Sequence, residues 1–157
     1  QRYPTYTSYG APSVSDLLGS EALASAEVLE AHTFDSVWLD NQGDGTFRVR
    51  PLPTRAQFAP IYALDIADRT GDGRPDILTG DAFSGVPPSQ GRYDASYGIL
   101  LERTSDAPAD AYTARPPAET GIWLDGPVRA FRPLQADAEA PLVLVARNDR
   151  SLQVIRF

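Results

Sequence analysis

The sequence predicts an all-β fold of antiparallel, blade-like sheets preceded by a short N-terminal helix. Three observations predict it. Fourteen Pro and twelve Gly interrupt a chain of 157 residues, which excludes a long-helix bundle or coiled coil. From Val28 onward the apolar residues follow a strand-like period. Segments of like sequence recur at offsets of 61 to 67 residues, a spacing that holds about four short strands.

Along the chain, the first thirteen residues are rich in Tyr, Ser, Pro and Gly and read as an extended arm, with Tyr3, Tyr6 and Tyr9 as its anchors on another surface. Ser13 caps a helix, with Asp16 in the place of the Glu or Gln of a full capping box, and the stripe Val14, Leu17, Leu18 and Leu23 gives a broken helix over about 14–25. Residues 1–26 form this arm and helix, and 27–157 a repeat region in pieces of about 27–60, 61–126 and 127–157.

The strand candidates come next. Val28–His32 and Ser36–Leu39 are short runs of apolar, β-branched or aromatic residues. Asn41–Phe47 is a turn of Asn, Gly and Asp leading into Phe47–Arg50, a hairpin in which Gly43 and Gly45 take positive φ, closed by Pro51-Leu52-Pro53. Ile61–Ala67 and Asp76–Thr79 flank an acidic glycine loop. Tyr97–Glu102 and Ala111–Ala114 follow a long Gly/Pro/Ser segment, and Val128–Arg132, Leu142–Ala146 and Leu152–Phe157 end the chain. The stretch 36–53 lines up with 97–117, and the runs beginning at Ile61 and Pro75 line up with those at Val128 and Pro141. A blade-like sheet needs neighbours over both faces, so two and a half of them are not expected to be self-sufficient.

Composition narrows the function classes. A content of 42% hydrophobic residues supports a real core. The net charge of −7 repels polyphosphate and anionic lipid, which argues against nucleic acid and membrane surfaces as partners. Every basic residue is Arg and fifteen of the acids are Asp, a pattern open to two readings: a GC-rich or salt-adapted proteome, or a generic acidic surface. The lack of Cys excludes disulfides, thiolate nucleophiles and Cys-ligated metals. The lack of Met leads to the expectation of a processed product or a piece of something longer, with any export signal upstream. No run approaches the roughly 18 apolar residues that span a bilayer, so membrane insertion is not expected.

The most informative stretch is Asp68-Arg69-Thr70-Gly71-Asp72-Gly73-Arg74-Pro75-Asp76. Carboxylates at loop positions 1, 5 and 9 converge if the backbone coils tightly, which Gly71 and Gly73 permit. A hard cation fits: Ca²⁺ takes six to eight oxygens at about 2.3–2.6 Å, and Asp68, Asp72, Asp76, the Thr70 side chain or a water, and the Arg74 carbonyl supply most of them. Position 12 is Thr79 rather than Glu and a strand follows, so the loop is not an EF-hand. The alternative is an ordinary Asp-Gly turn, disfavoured by three Asp at spacing four. Thr70 stands where such loops carry Asp or Asn, and the missing charge points to an affinity of about 10⁻⁴ to 10⁻³ M.

With Ile77-Leu78 after it and the hairpin Asn41–Phe47 before it, this loop resembles the FG-GAP/VCBS repeat family, whose repeats form blades of integrin-α-like β-propellers. Gln57–Tyr62, Gly91–Gly98 and Leu144–Asp149 are similar to the C-terminal part of large secreted bacterial VCBS-repeat proteins. The resemblance implies a partial β-propeller, a structural calcium on Asp68, Asp72 and Asp76, and an extracellular, cell-surface or periplasmic location. It also implies a non-enzymatic role in adhesion or binding of a protein or glycan ligand, with the remaining blades of the parent protein, or self-association, covering open sheets. The matching loop of the last repeat, around Gln135–Glu139, has only Asp137 and no glycine, so one calcium per chain is expected. The alternative function is a part, catalytic or not, of a carbohydrate-active propeller enzyme.

Other candidates read more plainly. His32, the one histidine, sits beside Glu30 and is favoured as structural or solvent-facing over catalytic. Asp40, Asp44, Asp65 and Asp81 are further carboxylates, and a glycosidase-style pair drawn from them is the alternative left open. Asp44 reads as a turn cap and Asp81 as an orienter of loop amides or a water-linked extension of the metal site. Arg92 and Asp94 recognise a ligand or pair with each other, with pairing favoured. Trp38 and Trp123 have apolar neighbours and are expected in the core rather than on a sugar-stacking platform.

Overall fold

The computed structural model describes residues 3–107, 111–134 and 141–157. The chain divides into two units, 1–34 and 35–157. Among the described residues it is mostly β-sheet, three antiparallel sheets of nine strands with a few short helices.

The first unit holds α1 (Tyr6–Gly10), α2 (Val14–Leu18) and α3 (Ser20–Ala24). α1 corrects the expected extended arm: Thr5 and Ser8 form a capping box, so local side-chain bonds start a helical turn within the Tyr-rich segment. Tyr3 and Tyr9 meet edge to face at 6.0 Å, and Tyr6 is exposed. α2 begins on the expected box, with Ser13 N–H donating to Asp16 Oδ2 at 2.9 Å and Asp16 N–H to Ser13 Oγ at 3.3 Å. Gly19, at φ 84°, breaks the helix in two. Val28–His32 forms no strand. Among the described residues no neighbouring strand pairs with this run, and Val28 and Leu29 are 73% and 85% exposed.

In the second unit β1 (Val37–Asn41) pairs with β2 (Phe47–Pro51). A four-stranded meander follows in chain order: β3 (Ala63–Ala67), β4 (Asp76–Gly80), β5 (Leu100–Arg103) and β6 (Tyr112–Arg115). The third sheet is β7 (Val128–Leu134), β8 (Leu142–Arg147) and β9 (Gln153–Arg156). A 3₁₀ turn over Thr54–Gln57 and α4 (Pro117–Thr120) lie in the connections. β5 starts later than the sequence suggests: Gly98 adopts φ 82°, and Ile99 joins β4 by one backbone bond only, its carbonyl accepting from the Thr79 N–H at 2.9 Å.

Every residue of β4 is buried, so both faces of this strand are dry, whereas Leu64 and Ile66 of the neighbouring β3 are 53% and 62% exposed. Side chains alternate across a strand, and the two sets from β4 enter different cores. Ala63, Leu78 and Leu100 pack with Val128, Phe131, Val143, Val145 and Ile155 from the third sheet. Ile77, Leu101 and Ile99 pack on the opposite side with Leu52 and Ala56, joined by Trp38, Tyr112 and Ala114. Trp38 thus takes its expected core place, its ring edge-on to Tyr112 at 6.0 Å.

The end of β4 shows how tightly the third sheet sits. A Cβ on Gly80 would lie 2.4 Å from Val128 Cγ1 and 3.0 Å from Phe131 Cε2. Gly80→Ala is therefore expected to destabilise the fold by about 1–3 kcal/mol, the usual cost of overpacking, read as a lower melting temperature. An unchanged melting temperature would contradict this packing.

Candidate functional site

The acidic loop joins β3 to β4, and its two ends behave differently. At the β4 end Asp76 is 0% exposed and ties the loop together. Its Oδ2 accepts from the Arg69 N–H at 2.9 Å, the Thr70 N–H at 3.1 Å and the Thr70 hydroxyl at 3.2 Å. Its Oδ1 accepts from the Arg103 N–H at 2.8 Å, which fastens the start of β4 to the end of β5. Burying this carboxylate is tolerable because each oxygen has donors, and hydrogen bonds to a charged acceptor are the stronger kind.

At the β3 end Asp68 is exposed and caps the loop's interior. Oδ1 accepts from the Gly71 N–H at 2.7 Å and Oδ2 from the Gly73 N–H at 2.9 Å. Gly71 and Gly73 reach those positions at φ 80° and 85°. The two bonds, that from Gly73 foremost, hold the Asp68 carboxyl below its ordinary value. Asp72 accepts from the Arg74 N–H at 2.8 Å, and the Arg74 guanidinium lies 3.7 Å from its other oxygen. Arg69 turns inward, pairs with the buried Asp65 through two nitrogens and stacks over the Phe157 ring at 4.4 Å.

The donor set is all hard oxygen, as calcium requires. Asp68 and Asp72 are accessible and keep lone pairs beyond their N–H bonds. Asp76 is largely spent on internal donors. Among the described residues no three acidic or histidine side chains are gathered as a metal cluster. The loop as it stands is closed by N–H groups on carboxylates, and a cation would have to compete with them at Asp76. The matching stretch around Gln135–Glu139 lies outside the described residues.

The remaining candidates disperse. His32 lies in the first unit, exposed, with Nε2 3.3 Å from Glu30 Oε2, and not at a strand end. Asp44 caps its turn, accepting from the Thr46 hydroxyl at 2.6 Å and the Thr46 N–H at 2.9 Å, bonds that lower its pKa. Asp40 lies 3.5 Å from Arg50 across the β1–β2 hairpin. Asp81 is buried beside Thr79 and Ser96, whose hydroxyls both donate to Oδ2. Burial pushes its pKa up against those bonds, and Oδ1 has no hydrogen-bond partner. Arg92 and Asp94 make no ion pair with each other. They line a small polar pit of about 70 Å³ together with Asp125 and Arg150, which pair at 3.3 Å.

Trp123 corrects the sequence reading. It is 54% exposed, while Ile122 and Leu124 on either side of it are buried. Its ring stacks on Tyr97 at 4.1 Å and 22° and lines a cleft of about 240 Å³ that the sequence did not reveal.

Comparison with protein-family models, with curated proteins and with solved structures returns no match for this chain. No helix among the described residues is long and apolar enough to cross a membrane.

Two outcomes check the loop. Asp76→Ala orphans several part-buried donors at about 1–3 kcal/mol each, so a large fall in melting temperature is expected with or without chelator; a near-neutral variant would contradict the account of Asp76. Asp68 has a lowered folded pKa, so its stabilisation is complete at neutral pH, begins to fade below the ordinary value of 3.8 and is lost as pH falls through the lower folded value. Asp68→Asn should therefore lose less stability than the natural chain as pH falls below 3.8 in denaturant titrations, and parallel profiles would contradict it.

Proposed function

We propose that this chain is a segment of a calcium-stabilised β-propeller of the FG-GAP/VCBS kind. Its role is that of a non-catalytic binding or adhesion module in an extracellular, cell-surface or periplasmic protein, facing a protein or glycan ligand. The observation that carries the reading is the central sheet, a four-stranded meander with a core on each face, one shared with the third sheet and the other with Leu52, Ala56 and Trp38 at the β1–β2 hairpin and the turn after it. That is the packing radially repeated sheets require.

The sequence likeness supports it. The stretch 36–53 spans β1 and β2, and its counterpart 97–117 spans β5 and β6. The runs at Ile61 and Pro75 lead into β3 and β4, and their counterparts into β7 and β8. Like sequences thus occupy like hairpins. Leu39, Phe47 and Val49 are exposed on the first sheet, and Leu134 and Val154 on the third. Such apolar residues suit contact with further sheets of the same kind or with another copy.

In this reading calcium is held by Asp68 and Asp72 with the Thr70 hydroxyl and the Arg74 carbonyl, and Asp76 joins at the expense of its internal bonds. When bound, the ion neutralises the loop's carboxylates and serves structure rather than chemistry. The polar pit beside Asp94 and Asp125 is too small to admit a sugar ring, which weighs against the glycosidase alternative.

Calorimetric titration with calcium is expected to give a Kd of about 10⁻⁴ to 10⁻³ M. Saturation at about 100 Kd should stabilise the fold by about 2.7 kcal/mol. No heat, together with a melting temperature unmoved by chelator, would remove calcium from the proposal.

A further inference from the structure

We propose that the cleft beside Trp123 is a saccharide site that takes an acidic pyranose, a sugar ring bearing a carboxylate such as a uronic acid. It gives the binding role above a place and a ligand class; it rests on that reading for the role alone, since none of its residues belongs to the calcium loop.

The cleft is built from separate parts of the chain, each pinned. One wall is Arg55 and Phe58, at the 3₁₀ turn. That turn is fixed by Gln57, whose Oε1 accepts from the Ser36 N–H at 2.6 Å and whose Nε2 donates to the carbonyls of Ser36 and Leu52, each at 3.0 Å. The opposite wall is the Tyr97–Trp123 stack. The Leu124 N–H donates to the Tyr97 carbonyl at 2.9 Å, and Gln153 Nε2 donates to the Trp123 carbonyl at 2.8 Å. Gly98 permits this approach, since a Cβ there would lie 2.6 Å from Leu124 Cδ1. The platform is therefore formed before any ligand arrives, which limits the ordering cost of binding.

The chemistry of the lining selects the ligand. Phe58, Tyr97 and Trp123 are large aromatics left substantially exposed around one cleft, whereas Trp38 is half-buried against a core. Their rings offer flat apolar faces to the C–H face of a sugar. Ser96 also lines the cleft, and its hydroxyl proton is committed to the buried Asp81, so its lone pairs remain to accept from a ligand hydroxyl. Arg55 is the one charged residue in the lining and makes no ion pair among the described residues, in a chain of net charge −7. An unpaired guanidinium beside an aromatic platform calls for a carboxylate, which it grips through two parallel N–H bonds. The volume of about 240 Å³ is below the roughly 300–1,000 Å³ of sites for drug-sized ligands and suits one ring of a longer chain. An extended proline-rich peptide would need a run of neighbouring grooves, whereas the lining residues enclose one cleft.

The test is calorimetric titration of the full chain with a trigalacturonate and with the neutral galactose trisaccharide, each in calcium and in chelator. The natural chain should bind the acidic sugar, and prefer it to the neutral one, in both buffers. Arg55→Gln, an exposed change with no packing role, should weaken acidic-sugar binding about tenfold and erase the preference; Trp123→Ala should abolish binding of both. Equal affinity for the two sugars, no binding of either, or binding only of a proline-rich peptide would overturn the proposal. Loss of sugar binding with the calcium response intact sinks the cleft alone, and the reverse sinks the calcium reading alone.

Discussion

β4 is the constraint on which the second unit depends. A strand buried at every position must present apolar or fully bonded groups on both faces, and Asp76–Gly80 does so with one residue type for each demand. Ile77 and Leu78 face opposite cores. Thr79 uses its hydroxyl to accept from the Ile99 N–H at 3.1 Å, and Gly80 leaves room for β7. Asp76 brings a charge into the interior and is tolerated there because backbone N–H groups and the Thr70 hydroxyl surround it. The sheets on either side follow from this requirement, since neither face of β4 can be left wet.

The same carboxylate links sheet to loop. Asp76 holds the last turn of the acidic loop from below, while Asp68 organises its outer turn by accepting from two glycine N–H groups. The motif that suggests a cation thus also makes a self-contained loop, in which N–H dipoles do part of the neutralising a metal would do. Any cation has to add enough to offset the bonds it displaces, and this physical reason accords with the weak affinity expected from Thr70.

Most of the sheet architecture was legible in the sequence. Apolar runs bounded by turn residues placed β1, β2, β4 and the last three strands within one or two residues. Val28–His32 shows the limit: a short apolar run does not supply a neighbouring strand, and pairing is a tertiary fact. α1 was missed because Thr5 and Ser8 were read as arm composition rather than as a capping pair. At the candidate site the glycine turn was legible from spacing, but the sequence placed three carboxylates around one point. The structure directs Asp76 inward to Thr70 and Arg103, a choice that depends on β5 lying alongside. The Trp123 cleft was illegible as a cleft, since Arg55, Tyr97 and Trp123 are far apart in the chain. Its one local signal was the run of Ile122, Trp123 and Leu124, whose outer two residues are buried and whose middle one is exposed.

The central claim, that β4 is sealed on both faces, is tested most directly by native-state amide hydrogen exchange. The account predicts that the amides of Ile77–Gly80 and of Leu101 exchange only through global unfolding and share one opening free energy, the highest in the chain. Exchange of the Ile77–Gly80 amides as fast as those of the exposed Gln42–Thr46 turn would contradict it.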